Sequence, residues 1–133
     1  MSTSNTVSII TPAYNCANTI GEAIESVLQQ THTDGEMIIV DDCSTDNTVE
    51  VVSRYVSRDK RIRLISHDSN HGAAAARNRA IRDANGRFIA LLDSDDLWKP
   101  QKLESQLEFM KKNGYAFTFT AYEVFRDSSD LHR

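Results

Sequence analysis

In Phe88-Ile89-Ala90-Leu91-Leu92-Asp93-Ser94-Asp95-Asp96, five apolar residues run directly into three carboxylates within four positions. A short, continuous apolar run is the pattern of a strand covered on both faces, as in a parallel sheet. A carboxylate cluster at its end needs compensation, because charge leaving water is costly unless it is paired. A hard divalent cation with oxygen ligands supplies that compensation, and a phosphorylated ligand is a reason to keep one there.

Three more runs of the same kind precede it. Val7 to Ile10 is followed by Thr11-Pro12, and Met37 to Val40 by Asp41-Asp42. Ile62 to Ile65 is weaker. Helical periods lie between them. Ile20, Ala23, Ile24, Val27 and Leu28 share one face, with Thr19 and Glu22 at capping-box spacing. Val49, Val52 and Val56 share a second, with Ser44 or Asp46 as its cap. Ala73, Ala76, Ala80, Ile81 and Ala84 share a third, with Gly86 as the C′ residue. Those alanines predict a helix lying close against the sheet. Leu103, Leu107 and Met110 share a fourth, between Pro100 and Gly114. Tyr115 to Phe125 reads as one or two further strands, and Arg126 to Arg133 as a polar tail. The sum is an α/β fold, a three-layer α/β/α arrangement on a mainly parallel sheet with right-handed crossovers.

Length and composition bound the rest. At 133 residues the chain is expected to form a single domain, residues 1–133. It is 40% hydrophobic and 26% charged, an ordinary globular balance. A net charge of −4 lacks the basic surplus of a nucleic-acid binder. Cys16 and Cys43 form no metal-ligand spacing and no disulfide framework, so a reduced, cytoplasmic setting is expected. Met1 to Thr6 carries no apolar signal segment, and no apolar run approaches a membrane span.

In an open parallel sheet, ligands bind beyond the carboxyl ends of the strands. Four segments fall there: Thr11 to Asn15, Asp41 to Ser44, Asn70-His71-Gly72 with Arg77, and Asp93 to Asp96. Their convergence on one edge is stronger evidence than any one of them. Each offers a different contact. The flat ring of Tyr14 can stack on a base. Asp42 can accept from an imide N–H, Asp93 from ribose hydroxyls, and Asp95 can bind a cation bridging a diphosphate. Gly72 permits close backbone approach, and Arg77 can meet phosphate or brace a carboxylate. Plainer roles compete. His67 and His71 read as ordinary loop histidines, and Trp98 as a packing anchor.

Taken together, Val7 to Asn15, Ile38 to Asp46, Asn70-His71-Gly72 through Ala76-Arg77-Asn78, and Leu92 to Asp96 resemble the GT-A glycosyltransferases of family two, in the family's order. The resemblance covers nearly the whole chain. It implies a nucleotide-sugar donor, usually a UDP-sugar, with Mn²⁺ or Mg²⁺, a glycan or lipid-linked acceptor, and direct inverting displacement at the anomeric carbon. By position it places Pro12, Ala13 and Tyr14 in the base pocket and makes Asp42 the uracil-binding aspartate. It makes Asp93-Ser94-Asp95 the D-x-D segment, with Asp93 and Asp95 as metal ligands and Asp95 the stronger of the two. Cys43 stands where the family often has glycine or asparagine, a position that shapes the turn. The family's catalytic base lies well downstream of this segment, and no later acid here sits in a recognisable base motif. The chain is therefore expected to be the donor-binding part of a longer enzyme, binding nucleotide and metal while transferring sugar poorly. It implies a cytoplasmic protein, with attachment to the inner membrane face left open.

Two readings from other classes compete. A phosphorylation receiver also has paired aspartates after one strand and another aspartate after a later one, but its acidic pair follows its first strand. A non-catalytic nucleotide-binding module shares every donor-side feature. A dinucleotide-binding dehydrogenase is excluded, because Thr11 to Asn18 has no glycine.

Overall fold

The computed structural model describes residues 5–112. Four strands and four helices alternate: β1 (Val7–Ala13), α1 (Ile20–Leu28), β2 (Gly35–Asp41), α2 (Thr48–Arg58), β3 (Ile62–Ser66), α3 (Ala73–Arg82), β4 (Phe88–Leu91) and α4 (Lys102–Lys112). The strands form one parallel sheet in the order β3-β2-β1-β4. The expected segment Tyr115 to Phe125 and the C′ glycine Gly114 lie outside the described residues.

Strand residues alternate between two apolar layers. Ile9, Met37, Ile39 and Ala90 face one side, with Ile20 and Ile24 of α1, Val52 of α2 and Leu103 and Leu107 of α4. Ile10, Ile38, Val40 and Ile89 face the other, with Ala76 and Ala80 of α3. Both alanines are fully buried. Their small side chains let α3 settle against β1 and β2, as the sequence predicts. Trp98 is a packing residue of the first layer.

Several local expectations are corrected. β1 does not stop at Thr11-Pro12 but runs to Ala13, where Pro12 pairs with Val40. β4 flanks β1 only from Val7 to Ile10, so Pro12 lies where β1 has one neighbour and its missing N–H breaks no ladder on the open side. Thr19 is the N-cap of α1 but makes no side-chain cap, so the capping box with Glu22 does not form. Asn47 is the N-cap of α2; Asp46, one residue earlier, accepts from the Thr48 N–H at 2.9 Å. The inner face of α2 is Thr48, Val51, Val52 and Tyr55, while Val56 and, on α3, Ile81 are exposed. Gly86 is not the C′ residue of α3, which ends at Arg82 with Asp83 as C-cap. A Cβ at Gly86 would stand 2.6 to 2.8 Å from Ser8 Oγ, Ser8 N and Thr6 O. Glycine is there because the α3–β4 turn presses on β1.

The strand order reverses beside β1. From β1 the chain steps to β2 and β3 on one side, then crosses to β4 on the other. β4 ends at Leu91 while β1 continues to Ala13, so the sheet splits at its carboxyl edge. This is the topological switch point at which open α/β sheets hold ligands.

Candidate functional site

A cleft of about 600 Å³ opens at that split. β1 and the turn after it contribute Pro12, Ala13 and Tyr14. The loop after β2 contributes Asp42, and α3 contributes Ala73, Ala76 and Arg77. Asp93, Ser94 and Asp95 close it after β4. Each of the four segments singled out from the sequence reaches it, through Pro12 to Asn15, Asp42, Arg77 and Asp93 to Asp95; Thr11, Asp41, His71 and Asp96 do not line it, and Gly72 acts through its backbone.

The walls are tied together by hydrogen bonds that span the sheet edge. Asn15, at φ +48°, accepts at its side-chain oxygen from Thr45 N (2.8 Å) and Asp46 N (3.3 Å), and its own N–H donates to Ser44 Oγ (2.9 Å). The Cys16 N–H donates to Thr48 Oγ1 at 2.8 Å. The loop after β1 is thereby bound to the loop after β2, and Tyr14, half exposed at 50%, projects from the joined pair. Cys43 sits at φ +66°, a left-handed conformation that favours glycine or asparagine.

The two acids at the end of β2 have different tasks. Asp41 accepts from the hydroxyl and N–H of Ser44 and closes its own turn. Asp42 is 3% exposed and reaches across to the β3–α3 loop. Its Oδ1 accepts from the His71 N–H (2.9 Å) and from His67 Nδ1 (3.0 Å); its Oδ2 accepts from the Gly72 N–H at 2.7 Å. Burial alone would raise the Asp42 pKa, but the donors from His71, His67 and Gly72 outweigh it and hold the carboxyl below its ordinary range. Gly72 adopts φ +95°, which lets its N–H point back at Asp42 as α3 begins. His67, read from sequence as a loop histidine, is instead 12% exposed and part of this cluster. No local signal identifies it, because its partner is 25 positions away.

Two features of the cleft suit a charged ligand. Arg77 Nε is buried without a hydrogen-bond partner among the described residues, and Arg77 braces no carboxylate there. A buried, unmet guanidinium N–H on a cleft wall fits an anion. Asp93 and Asp95 form no side-chain hydrogen bond or ion pair among the described residues, although both line the cleft. Unpaired carboxylate oxygens suit Mg²⁺ or Mn²⁺, which take one or two carboxylates and complete their shell with phosphate oxygens and water. The described residues contain no group of three or more metal-ligating side chains.

Comparison with known proteins agrees with this geometry. Residues 8–133 match the family model described as glycosyl transferase family 2. TuaG of Bacillus subtilis (strain 168), named as a candidate teichuronic acid biosynthesis glycosyltransferase, is 52% identical over 128 residues, covering 96% of this chain and 51% of TuaG. The Escherichia coli protein WfgD, named UDP-Glc:alpha-D-GlcNAc-diphosphoundecaprenol beta-1,3-glucosyltransferase, is 46% identical over 123 residues, covering 92% of this chain and 48% of WfgD. The chain thus spans about half the length of these relatives. Among solved structures, S. aureus TarS 1-349 in complex with UDP-GlcNAc superposes with a TM-score of 0.75 at 32% identity, over 80% of this chain and 31% of TarS. The mannosyltransferase PcManGT from Pyrobaculum calidifontis, in complex with GDP-Man and Mn²⁺, gives 0.74 at 29% identity, over 78% of this chain and 32% of that one.

Proposed function

This chain belongs to glycosyl transferase family 2, and on that footing we propose that residues 1–133 are a single nucleotide-sugar-binding domain. It forms the donor side of an enzyme that transfers sugar, with inversion, from a UDP-sugar to a glycan or lipid-linked acceptor. The observation that carries this is the cleft at the switch point, where an exposed aromatic ring, a buried carboxylate, an unmet arginine and two unpaired aspartates meet. The family match favours neither the phosphorylation receiver nor the non-catalytic nucleotide-binding module.

Each group then has a task. Tyr14, against Pro12 and Ala13, stacks on the base, and half of its surface is free to do so. Asp42 accepts the base N–H. Asp93 accepts from ribose hydroxyls and shares Mn²⁺ or Mg²⁺ with Asp95, while Ser94 sets the turn that spaces them. Bound there, the cation supplies Lewis-acid stabilisation of charge on the departing diphosphate. Arg77, on the cleft wall, meets the same diphosphate. Among the described residues no helix is long and apolar enough to cross a membrane. The reading places the protein in the cytoplasm, able to work at the inner membrane face.

Thermal melting tests this. UDP at about 100 times its Kd stabilises the folded state by roughly 2.7 kcal/mol. The melting temperature rises with UDP and MnCl₂ together, and much less when a chelator replaces the manganese. An equal rise in chelator, or none in either, contradicts the proposal.

A further inference from the structure

An ionised carboxylate offers about four acceptor sites, two per oxygen. On Asp42, Oδ1 already takes two donors, His67 Nδ1 and the His71 N–H, and Oδ2 takes one, the Gly72 N–H. Because a carboxylate only accepts, the His67 proton sits on Nδ1. The residue cannot swing free: His67 is 12% exposed and Asp42 4% at the side chain. The His71 ring also meets the His67 ring edge-on, with centroids 5.3 Å apart. Asp42 lines the cleft with one acceptor site left, on Oδ2.

We infer that His67 is a positioning residue that sets base specificity, by filling Asp42 Oδ1 so that the cleft accepts a base with one N–H and rejects one with two. This rests on the proposed nucleotide-sugar function and deepens it. Uracil presents a single imide N–H between two carbonyls. Guanine presents an N1–H and an adjacent amino group, which together need a free site on each carboxylate oxygen. With Oδ1 full, the second guanine donor is buried unmet, which weakens binding by roughly 5- to 150-fold. Cytosine, with an acceptor at that ring nitrogen, faces the carboxylate with repulsion. His67 touches no ligand; it acts through Asp42.

Removing the imidazole opens a site on Oδ1 and loosens the carboxylate. UDP affinity therefore falls while GDP affinity falls less or rises. The test is calorimetric titration of the full chain with UDP and with GDP in MnCl₂, for wild type, His67→Ala and His67→Gln, with folding checked by thermal melting. The inference expects wild type to prefer UDP, His67→Ala to narrow that preference at least about fivefold, and His67→Gln, which keeps an N–H donor, to retain most of it. Should His67→Ala not fold, His67→Leu fills the volume without a donor and carries the same expectation. A folded His67→Ala or His67→Leu protein with the wild-type UDP-to-GDP ratio overturns the inference and leaves the donor-binding function standing. Wild type that binds neither nucleotide overturns both.

Discussion

Asp42 joins two loops through one ionised side chain, so its worth to the fold is tied to pH. Its folded pKa lies below the ordinary value of about 3.9. The resulting stabilisation is fully present above that unfolded value and is lost as pH falls through the lower folded value. Asp42→Asn keeps the size but gives up the charge and one acceptor oxygen, and hydrogen bonds to charged groups contribute about 1.5–3 kcal/mol each. We expect Asp42→Asn to lose roughly 2–3 kcal/mol at pH 7 by urea unfolding, and the gap to wild type to shrink below about pH 4. A gap that stays constant with pH contradicts the assignment. The candidacy of Asp42, Asp93 and Asp95 is legible in the sequence, because each follows an apolar run. The donors that hold Asp42 are not, since His67, His71 and Gly72 stand 25 to 30 positions away and only the fold brings them in. The role of Asn15 in binding two loops is hidden for the same reason, with partners 29 to 31 residues distant.

Among the elements, strands and helices announce themselves through period, and their edges do not. The run Val7 to Ile10 locates β1, yet the proline after it reads as a stop. The strand continues because β4 has already ended beside it, a fact of pairing rather than of local preference. Similarly, valines at 49, 52 and 56 suggest one face of α2, whereas Tyr55 and Val51 turn the buried face by one position. Tyr55 can sit there because its hydroxyl reaches Glu25 at 2.9 Å while its ring packs on the core. Gly86 shows how a glycine suited to one task can perform another. A methyl at this position meets two backbone atoms of the strand segment it packs on, at 2.7 and 2.8 Å. Neither can yield without shifting β1. Gly86→Ala is expected to cost about 1–3 kcal/mol, as overpacking does, and the urea midpoint measures it. An unchanged midpoint means that the α3–β4 turn does not press on β1 as described.

At the scale of the whole molecule, position in the sheet turns separate residues into a site. The order β3-β2-β1-β4 sets the reversal beside β1, and the early end of β4 opens the edge there. Tyr14, Asp42 and Asp95 come from three different β–α connections and Arg77 from the helix α3, and all four line one cleft. The alternation of runs and periods in the sequence already implies this edge, because parallel sheets gather their ligands at strand carboxyl ends. What it cannot give is which donors each carboxylate has already taken. Those depend on loop conformations such as the positive φ of Asn15, Cys43 and Gly72. In the proposed function Asp95 and Asp93 would hold the cation that meets the donor diphosphate. Calorimetry with UDP, with and without Mn²⁺, on wild type and Asp95→Ala tests it most directly. Binding in wild type is expected to depend on manganese and to weaken at least about tenfold, or 1.4 kcal/mol, in Asp95→Ala. Equal UDP affinity for the two proteins in manganese, or for wild type with and without the metal, would contradict it.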